Sequence, residues 1–408
     1  MPSVGKGGPF GDENPTKCNI LRRPTSLREI DISPKTNGTD DSPAILDAFE
    51  RCKEDGVVVF NEGTYHIERV MNTTGLRNVR IDMRGTLLWG TDLDYWRANG
   101  LPLGYLNMTT AWVFGGTDIL WEGNSIGTFD GNGQLWYDLT KGVSNLPGRP
   151  ISLMITGTNS SVFRGIRFVQ SQFWTMAITH SHRVLFEDIY INSTSTDKEP
   201  ARNTDGVDTF YSSDLTFRNM TIDCGDDFIS TKSNSSNILI QDSHFRRGTG
   251  VAIGSVGQLP GVYEFVENVT AERISCDKCQ FAAYVKTWTG IEQGVPPNGG
   301  GGGLGYMKNI TFKDFVVTNL TREAAQITQC TSFSGATGGC DTSLFQISDI
   351  AWLNISGTQN TDVLASLQCS GAAPCTSVRL DVDSVQTNDT ERKILCSNVQ
   401  QPLGFECG

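Results

Sequence analysis

One apolar phrase, apolar-x-apolar-x-x-apolar-x-apolar, returns along this chain: Phe163/Ile166/Phe168, Val184/Phe186/Ile189/Ile191, Leu215/Phe217/Met220/Ile222, Ile238/Ile240/Phe245, Val269/Ala271/Ile274, Ile310/Phe312/Phe315/Val317 and Ile350/Trp352/Ile355. Weaker copies begin near Ile119 and Val378. Starts at 184, 215, 238, 269, 310 and 350 are spaced by 31, 23, 31, 41 and 40 residues, so a coil of about 23 residues is lengthened by insertions. Each copy holds two short strands bent at a polar pair such as Glu187-Asp188, Arg218-Asn219 or Lys313-Asp314. A strand pair that small cannot bury its apolar side alone, whereas stacked coils share one continuous core. The pattern therefore predicts an all-β chain, a right-handed parallel β-helix. A β-sandwich also spaces its strands evenly, but nothing in it requires one two-strand phase to return at coil-length intervals.

Helical periodicity is confined to Ser42 through Glu54, where Ala44, Ile45, Ala48, Phe49 and Cys52 follow the capping run Asp40-Asp41-Ser42. This segment is expected to cap the first coil, whose open edge would otherwise invite aggregation. No linker composition breaks the chain, so the expectation is a single β-helix domain over 1–408, with 1–17 flexible and 18–60 forming the N-terminal cap. The glycine run 299–303 lacks the Lys-Ser/Thr of a phosphate-binding loop and reads as a loop between coils that can line a cleft.

The formal net charge of −12, from 33 basic and 45 acidic residues, disfavours nucleic acid or any polyanion held by bulk electrostatics. No stretch of about 18 consecutive apolar residues exists, so no membrane span is expected. Twelve Asn-x-Ser/Thr sequons (Asn37, Asn72, Asn107, Asn159, Asn192, Asn219, Asn234, Asn268, Asn309, Asn319, Asn354 and Asn388) point to a secreted glycoprotein. The first residues lack an apolar signal core, which implies a signal segment absent from this sequence. Eleven cysteines agree with an oxidising compartment: Cys330/Cys340, Cys369/Cys375 and Cys396/Cys407 are close pairs, and Cys18/Cys52 would pin the N-terminus. Cys276 and Cys279 read as a tight disulfide or two thiols, and Cys224 as the unpaired one. With four histidines and no second CxxC, no metal or cofactor is expected.

The chemistry concentrates between 203 and 286. Asp205 precedes Asp226 by 21 residues, close to one coil, so Asp205 is expected one rung, about 4.8 Å, above or below the Asp226-Asp227 pair. Three carboxylates stacked at one place repel one another, a cost that needs a function. They could cage calcium. They also suit glycoside hydrolysis, which needs one protonated carboxyl and one ionised carboxylate, roles that crowding separates.

Four blocks carry a resemblance: Asn203-Thr204-Asp205, Gly225-Asp226-Asp227, Gly248-Thr249-Gly250 with Ile253-Gly254-Ser255, and Tyr284-Val285-Lys286. In order and phase they resemble glycoside hydrolase family 28, the polygalacturonase and rhamnogalacturonase family, over roughly residues 40 to 400. The first two blocks match fully. Thr249 stands where that family usually has histidine and Tyr284 where it has arginine, while Lys286 is kept, which resembles the exo-acting and rhamnogalacturonan-directed branches. Thr249 lies 11 residues after Ile238 as Asp226 lies 11 after Leu215, which predicts that both occupy one position in successive coils.

The resemblance implies inverting hydrolysis with Asp226 as general acid and with Asp205 and Asp227 activating water. It implies a monomer acting on pectic polysaccharide or oligosaccharide. The residues around the site are read as substrate contacts. Lys286 serves as cation for a uronate, Arg247 offers a second charge, Asn203, Thr249 and Tyr284 line the cleft, and Trp174 and Trp288 are stacking faces. Insertions at 192–202 and 258–264 are expected to wall the cleft and favour attack at chain ends. Galacturonate is the first expectation for the released sugar and terminal rhamnose the rival, since a deoxy sugar needs neither missing basic residue. A calcium-dependent lyase and a non-catalytic polysaccharide-binding β-helix are rivals of another class.

Overall fold

The computed structural model describes residues 27–331, 339–387 and 392–408. Among the described residues, twenty-nine strands join in one parallel sheet that winds around a continuous apolar core. Starting positions stack in register from coil to coil: Val79 on Ile119, then, past a rung where Ser161 takes the position, Val184, Leu215, Ile238, Val269, Ile310, Ile350 and Val378 in one column. The two faint copies at Ile119 and Val378 thus belong to the same series. The β-helix expectation is met.

The bends fall at the polar pairs. Asp188, Asn219, Asp314 and Asn354 all have φ between 52° and 57°, a left-handed backbone that Asn and Asp tolerate better than most residues. Their side chains run as a ladder along the turn, Asn219 Nδ2 donating to Asp188 Oδ1 at 2.6 Å and Asn354 Nδ2 to Asp314 Oδ1 at 2.7 Å. Inside, equivalent positions stack as rings: Phe163 on Phe186 at 5.0 Å and Phe186 on Phe217 at 5.2 Å, with their planes nearly parallel. Phe186→Leu removes two such ring pairs and should cost about 1 to 3 kcal/mol, read as a lower urea midpoint at unchanged slope.

The capping helix runs Ser42–Arg51, shorter than the pattern predicted, because Glu54 already begins the strand Glu54–Phe60 that pairs with Arg28–Ile32. Much of the expected cap is therefore coil. Asp41 does not cap the helix with its side chain; it accepts from the His66 and Lys35 amides instead. Phe49 packs against Phe60, Trp112, Phe114 and Trp121, closing the end of the core. Two further helices, Leu93–Asn99 and Gln134–Thr140, were not expected.

Disulfides join Cys276 to Cys279, Cys330 to Cys340, Cys369 to Cys375 and Cys396 to Cys407, and Cys224 is buried and unpaired. The expected flexible stretch 1–17, Cys18 of the expected Cys18/Cys52 pair and the Asn388 sequon lie outside the described residues; Cys52 is buried and forms no disulfide with a described residue.

Candidate active site

Asn203-Thr204-Asp205-Gly206 ends a turn where backbones approach too closely for side chains. A Cβ on Gly206 would sit 2.4 Å from the Phe228 carbonyl, and one on Gly225 2.0 Å from that of Ala201. Thr204 Oγ1 stitches the turn, donating to Ala201 O at 2.7 Å and accepting from Gly225 N at 2.9 Å. Thr204 and Gly225 of the two fully matched blocks, with Gly206 beside them, thus hold the aspartates in place.

Val207 pairs with Ile229 and Ile229 with Val251, and the backbone bonds continue the ladder outward through Gly206 N to Asp227 O and Thr249 N to Asp226 O. Two residues before these strands, Asp205, Asp227 and Thr249 form one column. Asp205 therefore stacks on Asp227, and Thr249 follows Asp227, not Asp226 as its distance from Ile238 predicted. The turn before Val251 is one residue shorter than the turn before Ile229, which shifts the phase. Thr249 Oγ1 still reaches Asp226 Oδ1 at 3.4 Å.

Oxygens of Asp205, Asp226 and Asp227 lie within 4.8 Å of one another. Asp226 accepts from Asn203 Nδ2 at 3.1 Å; Asn203 is oriented because its Oδ1 takes the Asn145 amide at 2.9 Å and Ser144 Oγ at 3.1 Å. Burial first, then the charge of Asp227, pushes the Asp226 carboxyl up. Asp205 is pushed well up by burial and then by Asp226, Asp208 and Asp227. Asp227 differs: it accepts the Tyr284 hydroxyl on one oxygen and Lys286 Nζ on the other at 2.8 Å, and Lys286 also donates to Tyr284 at 2.9 Å. Burial works against the Lys286 charge, but Asp227, Tyr284 and Asp226 outweigh it and hold the ammonium protonated. Burial and the Asp227 charge push the Tyr284 hydroxyl well up, so it remains a donor.

Calcium is a poor fit to this cluster. Each oxygen that Asp227 could offer already accepts a hydrogen bond, one from the Tyr284 hydroxyl and one from the Lys286 ammonium, and an ion bound there would sit against the Lys286 charge.

Several expected contacts have other partners. Arg247 does not face the aspartates; its guanidinium forks onto Asp223, Nε to Oδ1 at 2.7 Å, on the exposed outer side. Lys286 is an ion-pair partner of Asp227 instead of an unoccupied uronate cation. Trp174 and Trp288 are 4% and 6% exposed and offer little face to a sugar. Trp174 lies between Phe173 and Phe210 with Lys232 Nζ 5.2 Å from its ring centre. Tyr284 packs on Phe281 at 4.9 Å.

Sequence reasoning missed Asp208, Lys232 and Arg149. Asp208 and Lys232 form a buried ion pair at 3.3 Å beside the triad, and burial, opposed by Lys232, pushes Asp208 up to about 7. Alternation was their available signal, since Asp208 lies one residue past the core residue Val207 and Lys232 three past the core residue Ile229, which turns both away from the core. Arg149, inside Gly148-Arg149-Pro150, carried none.

The expected walls are anchored. Thr196 in the 192–202 insertion gives its amide to Gln134 Oε1 at 2.8 Å. Glu264 is buried and accepts from Tyr105, Ser233 and the Gly257 amide at 2.7 to 2.8 Å. The glycine run is docked as well: Gln258 Nε2 donates to Pro297 and Gly299, and Asn298 Nδ2 reaches Asn145 O at 3.3 Å.

Residues 106–405 match the family described as Glycosyl hydrolases family 28. The chain is 47% identical over 371 residues to α-L-rhamnosidase rgxB of Aspergillus niger, covering 90% of this chain and 86% of that protein. It is 34% identical over 371 residues to an exopolygalacturonase of Cochliobolus carbonum, covering 89% and 82%. Among solved structures it superposes on endo-xylogalacturonan hydrolase from Aspergillus tubingensis with a TM-score of 0.79 at 25% identity, covering 93% and 99%.

Proposed function

The chain belongs to the glycosyl hydrolases of family 28, and from that premise we propose that it is a secreted, exo-acting hydrolase of pectic chains that removes terminal α-L-rhamnose with inversion. Asp226 protonates the glycosidic oxygen as the bond to the anomeric carbon breaks. A water held by Asp205 and Asp227 attacks that carbon from the opposite face and gives its proton to a carboxylate. Asn203 and Thr249 orient Asp226, while Lys286 and Tyr284 orient Asp227.

The observation that carries the choice of sugar is the partner of Lys286. Galacturonate was expected because Lys286 looked like a cation available to the uronate, and in the structure that charge is spent on Asp227 while Arg247 is spent on Asp223. A methyl-bearing deoxy sugar asks for neither. The 47% identical relative is named as an α-L-rhamnosidase, which supports the same reading. The test is to offer rhamnogalacturonan oligomers ending in rhamnose or in galacturonate and to identify the first product by mass. Rhamnose first is expected; galacturonate first returns the site to the galacturonate reading; an unsaturated, chelator-sensitive product would make it a lyase.

For a simple carboxylate pair, a separation near 5 Å is the mark of retention and about 6.5 to 9.5 Å that of inversion. Here three carboxylates share the site, and both oxygens of Asp227 are engaged, one by Tyr284 and one by Lys286, which lowers its power as a nucleophile. Proton NMR of the earliest product should therefore show the inverted anomer; the retained anomer would assign a nucleophile among the aspartates.

A further inference from the structure

Asn203, the residue that holds Asp226, is itself held by a segment outside the sheet. Its Oδ1 accepts from the Asn145 amide at 2.9 Å and from Ser144 Oγ at 3.1 Å, and its Nδ2 donates to Asp226 Oδ2 at 3.1 Å. A backbone N–H can only donate, so the Asn203 carbonyl oxygen must face Asn145, and the amide nitrogen is left for Asp226. Ser144 and Asn145 lie in the turns between the helix Gln134–Thr140 and the strand Leu153–Thr156, and Asn145 has a left-handed φ of 46°. Asn145 is also held from its other side, where Asn298 Nδ2 donates to its carbonyl oxygen at 3.3 Å.

Asn298 sits on a strap, residues 289–303, that leaves the strand Ala283–Trp288 and returns to the strand Leu304–Leu320. The base of the strap is fixed: Gly301 N donates to Gln258 O at 2.8 Å, Gly303 N to Gly257 O at 3.1 Å and Gly290 N to Thr342 Oγ1 at 3.0 Å. Gln293 and Gly300 exchange backbone bonds of 3.0 and 2.8 Å, which closes the tip that carries Asn298. Ala283 stacks on Val251, Val251 on Ile229 and Ile229 on Val207, so these strands run side by side. Asn203 lies before the start of one of them, whereas the strap springs from the end of another. The six residues of Ala283–Trp288 cover roughly 17 Å, and the strap spans that width to bring Asn298 to Asn145. Among the described residues, this is its only hydrogen bond to that side.

We propose that Asn298 is a positioning residue for the general acid: by seating the strap on Asn145 it fixes the segment that turns Asn203 toward Asp226. The proposal rests on Asp226 being the acid of the hydrolysis. The chain of bonds runs from Asn298 through Asn145 and Asn203 to Asp226, and at every link a donor faces an acceptor. An acid works only when it points at the departing oxygen, and a misplacement of about 1 Å can cost about 10²-fold. One neutral bond at the far end of the chain is worth less than that.

The experiment measures kcat and KM of wild type, Asn298→Ala, Asn298→Gln and Ser144→Ala on a rhamnose-ended oligomer. Asn298→Ala should lower kcat by about two- to tenfold, the worth of one hydrogen bond, with KM nearly unchanged. Ser144→Ala, which takes a donor from Asn203 directly, should do the same, and Asn298→Gln, which keeps an amide, should recover part of the rate. Two readouts isolate the acid. In Asp226→Asn, where no proton is donated, adding Asn298→Ala should cost nothing further. On a nitrophenyl α-L-rhamnoside, whose leaving group needs no proton, Asn298→Ala should match wild type. Either readout decides where the other gives no rate. A loss that persists in both makes the strap merely structural and overturns the proposal. So does a loss carried by KM, which would make Asn298 a substrate contact, and so do wild-type rates of Asn298→Ala on the oligomer. A wild type that hydrolyses nothing, or an undiminished rate in Asp226→Asn, would instead sink the functional reading itself.

Discussion

Asp226→Asn should lower kcat by at least about 10²-fold and leave KM nearly unchanged. An amide keeps the shape and can still be held by Asn203 and Thr249, but it has no proton to give a departing sugar oxygen. The effect has a pH signature. Burial and the neighbouring Asp227 push the Asp226 carboxyl up, so wild-type activity falls as pH rises through that raised value, where the acid loses its proton. The variant should lose this alkaline limb together with most of its rate. A substrate with a good leaving group that needs no protonation should recover much of the loss; an undiminished rate on the natural oligomer would remove Asp226 from the role. The mutation should also relieve repulsion among three carboxylates, so unfolding is expected at equal or higher denaturant.

Lys286→Met should be nearly as damaging, for a different reason. The ammonium supplies the counter-charge to a carboxylate that is 1% exposed at its side chain, and breaking a buried pair by removing one partner typically costs about 3 to 5 kcal/mol. Catalysis should fall about 10²-fold, because Asp227 loses the group that aims it and takes up a position set by Tyr284 alone. The informative point is the comparison of substrates. If Lys286 acts through Asp227, rhamnose-ended and galacturonate-ended oligomers lose rate by the same factor. If it reads a uronate, galacturonate-ended oligomers lose far more. Lys286→Arg, which keeps the charge, should recover part of the rate on both.

Much of this molecule was legible in one dimension. The two-strand phrase and its return at coil intervals are local facts of side-chain alternation, and stacking follows because no coil can bury its apolar side alone. Even the faint copies at Ile119 and Val378 lie in the observed column. Asp205, Asp226 and Asp227 were legible for the same reason, since a separation near one coil places residues on adjacent rungs. The cysteine pairs at Cys330, Cys369 and Cys396 were readable because their partners are close in sequence. The helices Leu93–Asn99 and Gln134–Thr140 were not, being about two turns long and too short to show a period.

What only the tertiary structure decided is the choice of partners. Lys286 reaches Asp227 across 59 residues, Arg247 turns away to Asp223 across 24, and Arg149 meets the Gln172 carbonyl across 23 from a segment with no pattern at all. A one-residue difference in turn length moves Thr249 from the Asp226 position to the Asp205–Asp227 column, a shift invisible in residue counts taken from the far strand. Periodicity says on which face of which rung a side chain starts. Which charge it meets depends on the length and torsions of both side chains and on how dry the gap is, because burial strengthens whichever pairing wins; those quantities exist only after the coils have stacked.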